Sequence, residues 1–127
     1  MQIDEVIEEV RRRAGLEQRD PAWDLTCRTL ETLGACLEAE AALNLASQLP
    51  DDLEGCLESA ARGTPTGEWF DPDEFVRRVA DSVGYDAQPD DVREQVNAVL
   101  STLSDAVTEG QWEQVLFALP AGYSSRL

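Results

Sequence analysis

The sequence predicts an all-α fold: two tandem three-to-four-helix units, related by pseudo-twofold symmetry and packed as a single domain. Three observations predict it. Apolar residues recur at the helical period of 3.6 along most of the 127 residues. The second half repeats the apolar positions and punctuation of the first. No segment alternates apolar and polar residues as a half-buried strand does, and no hairpin turn is encoded. A lone unit of about 60 residues would bury only about 60% of its chain surface, so two units together make the core sufficient.

The first helix carries the stripe Ile3, Val6, Ile7, Val10 and Ala14, and Gly15 falls where a left-handed residue ends a helix. Leu16 then supplies the following hydrophobic contact. The second helix is expected to start at Asp20-Pro21, an N-cap with proline at the first helical position. Its stripe is Ala22, Thr26, Thr29, Leu30, Leu33 and Leu37. The third carries Ala42, Leu45, Ala46 and Leu49, and Pro50 ends it. A short tail holds Leu53 and Leu57.

The repeat aligns Asp4-Glu5-Val6-Ile7 with Asp73-Glu74-Phe75-Val76, Val10 with Val79, Gly15 with Gly84 and Leu16 with Tyr85. After one residue of slip, Asp20 meets Asp90. Leu30, Thr32 and Leu33 then meet Leu100, Thr102 and Leu103, and Leu49-Pro50 meets Leu119-Pro120. The units are therefore 1–60 and 72–127, with a Gly-, Pro- and Thr-rich connection over 61–71. Asp71-Pro72-Asp73-Glu74 is a strong helix start, and Thr108 with Gln111 has the spacing of a capping box.

These segments resemble family 2267 of the catalogued domains of unknown function, small proteins of bacteria and haloarchaea. The resemblance rests on VRRRAGL (Val10 to Leu16), TLETLGACL (Thr29 to Leu37), LASQLP (Leu45 to Pro50), FDPDEFVRRV (Phe70 to Val79) and FALP (Phe117 to Pro120). It covers essentially the whole chain and implies an all-helical fold. The chain looks like a haloarchaeal branch of that family, which agrees with its acidity. The family has no established catalytic residues, so the resemblance implies none here.

Charge narrows the partners. The chain has 26 acids and ten basic residues, all arginine, for a net charge of −16. Such a chain repels polyanions, so nucleic acids and anionic membranes are not expected partners. The cluster Arg11-Arg12-Arg13 reads as the solvated end of the first helix, where cations complement the dipole. The acids are spread along the sequence rather than gathered in one stripe. That pattern favours solvation in concentrated salt, where the Debye length falls to about 3 Å at 1 M, over a docking face or an acidic mimic. No apolar run nears the roughly 20 residues that cross a bilayer, and the acidic N-terminus is no secretion leader. A cytoplasmic location is expected.

Chemistry is sparse. There is no histidine, no glycine-rich phosphate loop and no CxxC pair. Cys27, Cys36 and Cys56 are read as small buried hydrophobes, and a disulfide framework is not expected without a secretion leader. Asp51-Asp52 and Asp90-Asp91 sit at expected helix starts and read as caps. Asp71-Pro72-Asp73 lacks the downstream glycine and spaced acids of a calcium loop. No catalytic residue, metal ligand or cofactor site is therefore assigned.

Two aromatics remain, Trp69 and Phe70, in the polar connection just before a helix. They either cover the seam between the repeats or form an anchor for a protein partner, since tryptophan is enriched at interface hot spots. Trp23 is expected to be partly exposed and Trp112 to lie in the core. The leading expectation is a non-enzymatic helical interaction module that binds a protein partner or itself. The alternative is a small-ligand carrier or enzyme that uses carboxylates in a pocket between the repeats.

Overall fold

A computed structural model of the chain describes residues 2–36, 39–49, 53, 56, 72–83 and 89–118. It is all-helical, with no strand among the described residues. The helices are α1 (Ile3–Ala14), α2 (Arg19–Cys36), α3 (Ala39–Ala46), α4 (Pro72–Ser82), α5 (Pro89–Ala106) and α6 (Glu109–Ala118).

α1 forms because its apolar residues share one face, and Val6, Ile7 and Val10 on that face are buried. It stops at Gly15, whose φ of 72° is left-handed. The Leu16 amide donates to the Arg11 carbonyl at 2.9 Å and the Gly15 amide to the Arg12 carbonyl at 3.3 Å, the paired bonds of a Schellman stop. A Cβ on Gly15 would meet nothing within 4 Å, so only backbone conformation penalises a larger residue there. Gly15→Ala should cost about 1 kcal/mol, read as a lower urea midpoint at unchanged slope. Gly15→Asn should recover part of that loss, because asparagine tolerates the left-handed region.

α2 departs from expectation at its start. The helix begins at Arg19, one residue ahead of the expected cap, so Asp20 lies in the first turn instead of capping it. There its charge faces the positive end of the helix dipole. Pro21 is tolerated because amides of the first turn have no intrahelical partner. α3 is shorter than its stripe suggests. Beyond Ala46 the chain tightens, with the Gln48 and Leu49 amides donating to the Leu45 and Ala46 carbonyls, each at 3.1 Å. Leu49 is buried by that turn rather than by the helix.

Thr108 caps α6 as expected: its Oγ1 accepts from the Gln111 amide at 3.3 Å. The reciprocal half of the capping box is supplied from elsewhere. The Thr108 amide donates to Gln48 Oε1 at 2.9 Å, while Gln111 Oε1 accepts from Gln48 Nε2 at 3.4 Å. Gln111 is buried and spends its side-chain oxygen on the end of α3, and Gln48 takes its place at the cap.

α1 and α4 each pack against both α2 and α5, α2 also meets α5, and α3 pairs with α6. One apolar cluster runs through all of them. It joins Val6, Ile7 and Val10 to Leu25, Leu30 and Leu33, to Phe75 and Val79, to Val99, Leu100 and Leu103, and to Leu45 and Trp112. Trp112 is in the core, as its place on the stripe predicts. Leu25, which the sequence stripe omits, is fully buried, and α2 is covered around more of its circumference than a surface helix would be.

Candidate functional site

The interior holds little reactive material. Among the described residues, the buried polar ones are Thr26, Thr29, Thr32, Thr102 and Gln111. Each threonine hydroxyl donates to a carbonyl one turn back: Thr26 to Ala22 at 2.8 Å, Thr29 to Leu25 at 2.7 Å, Thr32 to Arg28 at 2.9 Å and Thr102 to Ala98 at 2.8 Å. Threonine in mid-helix often bonds backward in this way. No acid and no arginine is among these buried side chains.

Seven of the described arginines are engaged by carboxylates. On α1, Arg11 pairs with Glu8, while Arg12 and Arg13 pair with Glu9. Arg13 also reaches α5, where it donates to Ser101 Oγ at 3.0 Å and to Asp105 at 2.8 Å. Arg19 pairs with Asp4, Arg28 with Asp24 and Glu31, and both Arg77 and Arg78 with Glu74. The triplet at the end of α1 is thus neutralised by its own helix and by α5 as well as complementing the dipole. It is not a free cationic patch. Hydrogen bonds from Arg11 and Arg12 hold the Glu8 and Glu9 carboxyls below the ordinary value of 4.5. A lowered carboxylate stabilises the fold above its unfolded value and loses that contribution as pH falls through the folded one. These two pairs therefore weaken below about pH 4.5. Each lies at the surface and is small in effect.

The outward face of α2 carries the least ordinary chemistry. Trp23 is 37% exposed, as its place beside the stripe predicts. One turn on, Cys27 is bonded to Cys56 in a disulfide with Cα atoms 5.5 Å apart. This corrects the reading of Cys27 and Cys56 as unpaired apolar fillers. The pairing joins positions 29 residues apart, so it depends on tertiary proximity that spacing along the chain does not carry. Both cysteines are partly exposed. A further turn along, Glu31 Oε1 lies 3.7 Å from Cys27 Sγ. A disulfide sulfur has no proton to give, so this is a contact and not a hydrogen bond.

Trp69 and Phe70, and the pair Asp51-Asp52, lie outside the described residues. Asp91 is exposed in the first turn of α5. Among the described residues there is no group of three or more histidines, cysteines and acids placed to hold a metal ion. No helix among them is long and apolar enough to cross a membrane.

The sequence model of a family described as an uncharacterized conserved protein (DUF2267) matches residues 3–125, nearly the full length. The chain belongs to the DUF2267 family. That match spans every helix described above. No curated protein matches the chain. For this DUF2267 member, the features that stand apart from plain core building are the Trp23–Cys27–Glu31 face of α2 and the disulfide that leaves it.

Proposed function

We propose that the chain is a non-enzymatic helical interaction module of the cytoplasm, adapted to concentrated salt, which binds a protein partner or a second copy of itself. What carries the reading is the use of side chains. The described interior is aliphatic residues, Phe75 and Trp112, threonines bonded to their own helices and one glutamine, while the ion pairs lie at the surface. Large apolar groups reach the surface at Trp23 and at Leu43, which is 47% exposed. A net charge of −16 keeps such a surface soluble in salt and unattractive to nucleic acid or anionic lipid. The carboxylate-pocket alternative needs acids with raised pKa values. Glu8 and Glu9 move the other way, drawn down by arginine.

The duplication belongs to the same proposal. The aligned pairs Val10 and Val79, Leu30 and Leu100, and Leu33 and Leu103 are all buried. The principal helix contacts exchange among themselves when α1, α2 and α3 are swapped for α4, α5 and α6. A seam between two such units is where Trp69 and Phe70 would present an anchor. Replacing both with serine should abolish capture of a protein partner at native salt while leaving the melting temperature within about 2 °C of the parent. Retained capture, or a fall in stability alone, would remove the anchor from the proposal.

A further inference from the structure

We propose that the Cys27–Cys56 disulfide is a reversible redox clasp, opened by low-molecular-weight thiols, that fastens Leu53 into the core and is guarded in its oxidised form by Glu31. The reading combines three placements. Leu53 is fully buried in the apolar cluster and lies three residues before Cys56, so the bond to α2 secures a core side chain whose neighbour is partly exposed. Both sulfur-bearing residues are partly open to solvent, so a small thiolate can approach without unfolding the bundle. Glu31 Oε1 stands 3.7 Å from Cys27 Sγ, and Arg28, the cation beside it, is shared with Asp24.

The chemistry balances as thiol–disulfide exchange. One thiolate of a dithiol attacks a cystine sulfur, forms a mixed disulfide and expels the other cysteine as a thiolate, which takes a proton. The second thiol of the reagent then attacks its own sulfur in the mixed disulfide and releases the remaining cysteine. The reagent is oxidised by two electrons to its disulfide, and the cystine is reduced to two thiols. Glu31 opposes either route. It repels a thiolate attacking Cys27, and it destabilises the thiolate left on Cys27 when Cys56 is attacked.

The experiment uses the full chain in native salt. Alkylation in denaturant without reductant should modify one cysteine of three; modification of all three would end the proposal. Dithiothreitol should cleave the folded chain at a rate proportional to its concentration. A rate independent of concentration would mean that the bond opens only with global unfolding, and would equally overturn it. Compared at about 0.1 M salt, where a Debye length of about 10 Å leaves the contact mostly unscreened, Glu31→Gln should speed cleavage about 3-fold, the factor one carboxylate about 4 Å from a developing thiolate contributes through water. Glu8→Gln, on α1, should stay within about 2-fold of the parent, and equal rates for the two variants would remove Glu31 from the scheme. Hydrogen exchange of the reduced, alkylated chain should then show Leu53 and Cys56 losing protection by at least about 10-fold more than Val10 and Leu100. An equal loss everywhere would show a bond that merely stabilises the whole fold. These readouts do not depend on any partner.

Discussion

Phe75→Ala should lower the unfolding free energy by about 3–5 kcal/mol, which makes it one of the most damaging single substitutions available in this chain. The side chain is fully buried on α4, the helix that packs against both α2 and α5. Truncation removes the transfer energy of the ring and leaves a cavity that three helices cannot all close, because each is held by other neighbours in the same cluster. A small domain commonly has about 5–15 kcal/mol in total, so the loss is a large fraction of the whole. Urea denaturation in at least 1 M salt is the appropriate measurement, since screening keeps carboxylate repulsion from masking the result. Phe75→Leu should cost less than half as much. A loss below 1 kcal/mol for the alanine variant would mean that Phe75 is not in the core.

Loss of the disulfide should be comparable. The bond closes a loop of 29 residues, and restricting that loop in the unfolded chain is worth about 3–4 kcal/mol on the chain-entropy relation. Cys56→Ser, and the parent reduced and alkylated, should both show the decrease and should agree with each other. The substitution and the chemical treatment perturb Cys56 differently, so agreement between them isolates the cross-link itself. If the oxidised and reduced chains unfold at the same urea concentration, the loop is not constraining the unfolded state. Combining the loss with Phe75→Ala should leave little or no stable fold.

Much of this architecture is written in local pattern. The α1 stripe and its glycine stop are contained between Ile3 and Gly15, and Gly15 takes the left-handed conformation that its position demands. Trp112 and Phe75 follow the same logic, because the face of a helix is set by period alone. What spacing could not convey was any decision made between elements. The capping box at Thr108 was legible, but its second half is supplied by Gln48 from the end of α3. The start of α2 at Arg19 shows a neighbouring signal, proline in the first turn, satisfied in more than one register. The disulfide was illegible for the same reason: Cys27 and Cys56 meet only once the chain between them has folded back. The candidate anchor at Trp69 and Phe70 was singled out by composition, aromatics in a polar connection, and not by period.

The backward-bonded threonines of α2 have a consequence for how the bundle can evolve. A hydroxyl already satisfied by its own helix, as in Thr26, Thr29 and Thr32, makes no directional demand on the element that faces it. The apolar residues of the helices packed against α2 are then chosen for volume alone, and volume is a lenient criterion. Sequences can drift along that boundary, trading one aliphatic shape for another, without passing through a state in which a sequestered polar atom is stranded.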